Sequence, residues 1–220
     1  VPNDEAKEKF KLPKIVSEVH DRGWFGDKTK QGYFKKTKDE NGKRLILELD
    51  LNTFEYVPRT RAKFKALEAV KDNDNLKSRI KTLVNFDDKA GEFYRTTFYD
   101  AFKYVSNRIP EIADELYRID EAVCAGFAWE LGPFDTWDVL GVSTTVEKME
   151  AMELKPNQWV YDMLDAGNDS FYKIENGIKK YYDIPSKSYK TVPDSDELVI
   201  LDNIRETKKV WGNEGASVFD

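Results

Sequence analysis

Few residues in this chain have the types and spacing that chemistry demands. His20, in SEVHDRG, is the single histidine. It closes a charged helical pattern. A general base needs an orienting partner and a pocket, so a solvated surface histidine is the plainer expectation. Cys124, the single cysteine, can form no internal disulfide, and with one histidine it builds no Cys/His metal cage. On an apolar helix face it is expected to act as a small buried hydrophobe. PEIADELYRIDE offers Glu111, Asp114, Glu115 and Asp120, spaced as on any solvated helix face. Lys179, Lys180, Lys187 and Lys190 interleave with Tyr181, Tyr182 and Tyr189. That pattern suits an edge strand guarded by charge, or a face for a phosphorylated ligand. Neither G-x-G-x-x-G nor G-x-x-x-x-G-K-[ST] occurs, so no phosphate-cradling loop of these kinds is present. Asn107 stands apart by position. On a helical wheel it falls opposite the stripe Tyr94, Phe98, Phe102 and Val105, beside Arg108 and just before Pro110.

The elements that position these residues read mostly as helix. Helices are expected over 60–71, 75–84 and 89–108, the last ended by Pro110, which lacks an N–H and biases Ile109 away from helical angles. In GFAWELGPFDTWD (126–138) the punctuation predicts short helices meeting at corners. Asp120 would cap a helix that Gly126 ends. Gly132-Pro133 would open the next, and Gly141 would close it. Thr144 and Glu147 have the spacing of a capping box. Trp129, Phe134 and Trp137 are the expected filling between these helices. RLILELDLNTFEYV (44–57) and GIKKYYDIPSKSYKTV (177–192) alternate as hairpins, with turns near LNT and IPSKS.

The totals agree with a helix-rich chain whose outer faces are charged: 220 residues, 40% hydrophobic, 35% charged, mean hydropathy -0.67. No apolar run is long enough for a membrane span, and the start VPNDEAKEKF is not a secretion signal. The net charge of -6 argues against nucleic acid. With one cysteine, a reducing, cytoplasmic compartment is expected.

The two hairpins also resemble each other. Gly42 and Gly177 each follow Glu-Asn, Pro58 and Pro193 each follow Val, and both pairs are offset by 135 residues (177 − 42 and 193 − 58). LPKIVSEVHDRG…GYFKK (12–36) loosely parallels KPNQWVYDMLDAG…SFYK (155–173). Such an internal repeat predicts the tail of one unit, residues 1–58, followed by a complete second unit, in a slice of a longer polypeptide.

YVSNRIPEIADELYRIDEAVCAGFAWELGPFDTWDVLGV (104–142) resembles the signature helices of the C-terminal domain of L-3-hydroxyacyl-CoA dehydrogenases. The Asn-Arg pair, ID-A and GPF--WD--G fall in family order. The likeness is nearest to the second of two tandem C-terminal domains in multifunctional fatty-oxidation proteins, which also carry an enoyl-CoA hydratase. GWFGDKTKQGYFKK (23–36) resembles the closing motif of the first such domain, with Lys30 where the pattern has glycine. VWGNEGASVFD (210–220) resembles the junction before a hydratase. The implied fold is mainly α, the helical 6-phosphogluconate dehydrogenase C-terminal-like architecture with small β-hairpins. The implied division is 1–58, 59–195 and a connector, 196–220.

The resemblance further implies a parent enzyme that oxidises 3-hydroxyacyl-CoA to 3-ketoacyl-CoA with NAD. A dinucleotide-binding domain would supply the cofactor site and the catalytic His-Glu pair, and this chain would hold no cofactor or metal. His20 does not match that histidine. Asn107 matches an asparagine whose amide orients the substrate 3-oxygen, although in tandem proteins the first C-terminal domain normally serves the active site and the second packs against it. Implied partners are the dinucleotide-binding domain, the first C-terminal repeat, acyl-CoA in the parent and a second copy in a homodimer, with no nucleic acid and no membrane. Two other readings stay open: a non-catalytic assembly domain, and an acyl-CoA binder using the lysine-tyrosine hairpin.

Overall fold

The computed structural model describes residues 4–193, 195, 204–205, 208–213 and 215–220, and the chain divides into two compact units, Val1–Lys63 and Phe64–Asp220. Eight α-helices and small antiparallel sheets make it mainly helical among the described residues.

In the first unit, helix α1 (Lys14–Asp21) precedes strands β1 (Phe34–Lys38), β2 (Arg44–Leu49) and β3 (Tyr56–Pro58). They pair antiparallel in the order β1-β2-β3, with Lys36 opposite Ile46 and Glu48 opposite Val57. The expected hairpin 44–57 is therefore two strands of three. The added strand is the lysine-rich FKKTK, whose composition hides it. The Tyr56 hydroxyl donates to the Gly32 carbonyl at 2.7 Å, holding β3 to the chain before β1. Lys30 takes a left-handed φ of 64°, so the turn keeps the conformation that glycine would adopt at a lower steric cost.

The second unit begins with α2 (Lys65–Ala69), shorter than the helix expected over 60–71, because Phe64 is extended. Helix α3 (Leu76–Asn85) is capped by Asn75, which accepts from Ser78 N at 2.8 Å. Asp88 caps α4 (Lys89–Asn107) by accepting from Gly91 N at 2.9 Å, and its other oxygen takes Ala66 N at 3.0 Å, tying α2 to α4. Next come α5 (Leu116–Phe127), α6 (Pro133–Leu140), α7 (Val142–Ala151) and α8 (Gln158–Asp165).

Around GFAWELGPFDTWD the structure corrects several expectations. Asp120 lies inside α5 and does not cap it. The helix runs past Gly126 to Phe127 and ends at Ala128, whose φ is 55°. Thr144 lies within α7, which starts at Val142, so Thr144 and Glu147 form no capping box. Gly132 and Pro133 do open α6, and Gly141, with φ 85°, follows its end.

The core is aromatic. Trp137 stacks on Phe102 of α4 at 4.8 Å and 6°, and Phe171 touches Trp137, Phe134 and Trp159 at 5.0, 5.0 and 5.7 Å. Phe134 and Trp137 are fully buried as expected; Trp129 is 51% exposed and fills nothing.

Strands β4 (Tyr172–Glu175), β5 (Ile178–Asp183) and β6 (Ser188–Thr191) form a second meander after α8. Asn176-Gly177 joins β4 to β5 with φ of 53° and 83°, both positive as the tight primed turn requires. The helix-then-meander order of the first unit thus recurs here, with Gly42 and Gly177 both left-handed. A two-stranded sheet, β7 (Lys209–Gly212) with β8 (Ser217–Phe219), lies within the expected connector. Residues 196–203, 206–207 and 214 of that connector lie outside the described residues.

Candidate functional site

The second unit is built around a cluster of three aspartates, a tyrosine and a lysine. Asp120 sits on α5, Asp135 and Asp138 on α6, Tyr172 on β4 and Lys179 on β5. Proline at the first position of α6 leaves the next N–H groups pointing out of the helix end without internal partners. Asp120 fills that need from the neighbouring helix: Phe134 N and Asp135 N donate to its two oxygens, each at 2.9 Å. The Tyr172 hydroxyl adds a third bond at 3.1 Å. Asp138 does the same for the entry to β4, accepting from Phe171 N at 2.7 Å and Tyr172 N at 2.8 Å. Lys179 Nζ bridges both oxygens of Asp135 at 2.8 and 2.9 Å and lies 3.9 Å from the centre of the Tyr172 ring.

Gly132 makes this possible. A Cβ there would stand 2.3 Å from Asp120 Cβ and Cγ, so only glycine lets α5 and α6 approach.

Burial, reinforced by the charge of Asp135 and opposed by the donated N–H groups, pushes Asp120 up to about 7. Burial likewise pushes Asp138 up to about 8, against the N–H groups of Phe171 and Tyr172. Burial next to these acids pushes the Tyr172 hydroxyl upward too. A carboxyl titrating near neutrality has the affinity a general base needs. Asp120, however, is only 4% exposed and both its oxygens already accept hydrogen bonds. The cluster is therefore a clasp joining α5, α6 and the second meander. A proton on Asp120 is compatible with it, because the Tyr172 hydroxyl can turn from donor to acceptor.

Asn107 is the last residue of α4, half-buried. Its neighbours fix the backbone there. Ser106 Oγ donates to the Lys103 carbonyl at 2.8 Å and accepts Asn157 N at 3.0 Å, while Trp159 Nε1 donates to the Ser106 carbonyl at 3.0 Å. Arg108, buried, meets Glu111 at 2.8 Å and lies over the Tyr104 ring at 4.8 Å. The amide thus rides on a rigid helix end held by α8.

The other sequence candidates fall elsewhere. His20 belongs to the first unit; its side chain is 74% exposed, with its ring edge-on to Phe25 at 5.4 Å. Cys124 is half-buried, and burial next to Asp120 and Asp135 pushes its thiol upward, away from the thiolate a nucleophile needs. The lysines divide: Lys179 and Lys180 lie on β5, the central strand, and Lys190 on β6, at the edge of the meander. Lys179 holds Asp135, Lys180 pairs with Glu175, Lys190 pairs with Asp183 at 2.8 Å and Lys187 approaches Asp162 at 3.9 Å. Among the described residues no group of three or more His, Cys, Asp or Glu could hold a metal, and no helix is long and apolar enough to cross a membrane. Sequence reasoning missed Asp135, Asp138 and Tyr172. The available signal was the aspartate ending the aromatic run TWD, placed to serve a chain entering the core.

Over 217 residues, 98% of its length, the chain is 38% identical to a Bacillus subtilis (strain 168) protein named "probable 3-hydroxyacyl-CoA dehydrogenase". The chain is similar to one part of a 3-hydroxyacyl-CoA dehydrogenase. It spans 27% of that relative. It is also 22% identical over 166 residues, 73% of the chain, to a Rickettsia felis (strain ATCC VR-1525 / URRWXCal2) protein described as a fatty acid oxidation complex trifunctional enzyme, of which it covers 20%. In both cases the match covers most of the chain and only a part of the relative. No family model and no solved structure matches the chain.

Proposed function

We propose that this chain is the helical C-terminal part of an NAD-dependent 3-hydroxyacyl-CoA dehydrogenase of fatty-acid β-oxidation, and that it shapes the substrate cleft and supplies packing surface without being active alone. The observation that carries the reading is the match running along 98% of the chain but only 27% of the dehydrogenase relative. The order of parts follows: 1–58 as the tail of a first C-terminal repeat, 59–195 as the second C-terminal domain, 196–220 as a connector to a hydratase-like domain. NAD does not fit the residues present. The described sheets are antiparallel, and among the described residues no glycine-rich turn leads from a strand into a helix. Cofactor and hydride chemistry are accordingly assigned to another part of the parent protein.

What this chain can contribute is position. The Asn107 amide, at the end of a helix pinned by Ser106 and Trp159, is suited to donate to the 3-oxygen of an acyl-CoA and hold it in register for transfer. In the full-length parent, Asn107→Ala should lower kcat for 3-hydroxyacyl-CoA oxidation about a hundredfold with little change in KM if this asparagine serves the active site. An unchanged kcat assigns it to the packing role of a second repeat.

A second reading, a non-catalytic assembly domain, is favoured by a specific feature. Phe127 and Trp129 are 73 and 51% exposed in the second unit with their rings 6.2 Å apart, an apolar surface suited to a neighbouring domain or a second copy. Sedimentation of the chain as a concentration-dependent dimer supports it; a monomer at all concentrations counts against it.

A further inference from the structure

We propose that the start of β1 in the first unit is a docking surface for a pair of helices like α5 and α6. Tyr33 and Phe34 enter the aromatic core of that pair, and one of its aspartates receives the N–H groups of both residues. The occupant is the helical part of a first repeat, which in the parent precedes this chain.

Matching contacts equate the two meanders residue by residue. The Tyr189 hydroxyl donates to the Ser170 carbonyl at 2.6 Å, as Tyr56 does to Gly32 at 2.7 Å. Leu49 N donates to the Tyr33 carbonyl at 2.9 Å, and Tyr182 N to the Phe171 carbonyl at 2.8 Å. Phe34 lies opposite Glu48 as Tyr172 lies opposite Tyr181. Lys35 stands over the Tyr56 ring at 5.3 Å, and Lys173 over the Tyr189 ring at 4.1 Å. Tyr33 and Phe34 therefore hold the places of Phe171 and Tyr172.

Their surroundings differ. Phe171 is fully buried against Phe134, Trp137 and Trp159, and Asp138 accepts the N–H groups of both Phe171 and Tyr172. Tyr33 and Phe34 are instead 43 and 51% exposed, and Tyr33 N has no acceptor among the described residues. Hydrogen-bonded and open pairs alternate along an antiparallel ladder. Tyr33 bonds to Leu49, so the next pair, Phe34 with Glu48, is open and directs the Phe34 N–H away from β2. Two aromatic side chains and two adjacent donors thus lack in the first unit what α6 supplies in the second.

Charge narrows the occupant further. Lys179 lies over the Tyr172 ring at 3.9 Å and pairs with Asp135. Arg59 lies over the Phe34 ring at 5.0 Å and forms no ion pair among the described residues. A helix bearing acids at the places of Asp135 and Asp138 would satisfy Arg59 and both N–H groups together, through charge-assisted hydrogen bonds. A second copy of this chain cannot present them, because its Asp135 and Asp138 already hold Lys179, Phe171 and Tyr172.

The test is hydrogen exchange at the Tyr33 and Phe34 amides, resolved by mass spectrometry, in the 220-residue chain and in the full-length parent. Exchange should be fast in the chain and about a hundredfold slower in the parent, while Phe171 and Tyr172 stay slow in both. Benzoylphenylalanine placed at Phe34 in the parent should cross-link to a helix upstream of Val1. Replacing the aspartate of that helix by alanine should restore fast exchange, with the far-ultraviolet spectrum checking the fold. The proposal is overturned if both amides exchange equally in the two proteins, if the cross-link falls on residues 64–220 or on a second copy, or if loss of the aspartate leaves exchange slow. The occupant rests on the reading of 1–58 as the tail of a first repeat in a dehydrogenase, and the two fail separately. Turnover by the chain alone would sink that reading, whereas equal exchange in a parent that oxidises 3-hydroxyacyl-CoA sinks only the docking surface.

Discussion

Asp120 on α5 caps α6 by accepting the N–H of Phe134, fourteen residues downstream, at 2.9 Å. A side chain from one helix thus supplies what the first turn of the next cannot make for itself, and the same carboxyl reaches the meander through Tyr172. Asp120→Ala would leave buried donors unmade and should lower the unfolding free energy by about 3 kcal/mol or more. Asp120→Asn keeps one acceptor and should cost about half as much. Urea denaturation followed by tryptophan fluorescence measures both; equal losses would refute the cap as the main contribution.

Two glycines in the same motif should respond in opposite directions. At Gly132 an added methyl collides with Asp120 at 2.3 Å, so Gly132→Ala should destabilise by about 2 kcal/mol or more through overpacking. Gly126, inside α5, has nothing within 4 Å of a new Cβ, so Gly126→Ala should stabilise by about 0.5–1 kcal/mol. Melting temperatures of the two variants suffice.

Stability should also depend on pH, from the titration of three groups. Asp120 and Asp138 titrate at about 7 and about 8 in the folded chain, above the ordinary carboxyl value of 3.8. Between these limits the native state holds more protons than the unfolded one, so stability falls as pH rises, by up to about 1.4 kcal/mol per pH unit for each carboxyl. Asp88 has the opposite sign. The N–H groups of Ala66 and Gly91 hold it below the ordinary value, so its contribution is lost as pH falls through that low value. A stability maximum on the acid side of neutrality is expected, and Asp120→Asn should flatten the slope above it. A slope unaltered by that substitution would contradict the assignment.

What the sequence made legible was what depends on near neighbours. The stripe of α4 has a helical period, and Gly132-Pro133 starts a helix wherever it stands. What stayed hidden depends on residues far along the chain. Asp120 looks like a local cap, but its partners begin fourteen positions later, on another helix. Trp129 and Trp137 share a motif and a residue type. One follows the left-handed Ala128 into a loop and stays exposed, the other lies on the inner face of α6 against Phe102, and only packing separates them. Strands β1 and β4 were overlooked because each is short and lysine-bearing, stabilised by pairing with β2 or β5 more than by its own propensity. Asn107 was conspicuous by resemblance; the residues that fix it, Ser106 and Trp159, come from two helices.

The central claim is that this chain is a positioning part of a 3-hydroxyacyl-CoA dehydrogenase whose cofactor chemistry resides elsewhere. The most direct measurement is NADH formation when the purified 220-residue chain is given NAD and 3-hydroxybutyryl-CoA. The account predicts no NADH above the rate without protein. Turnover by the chain alone would contradict it.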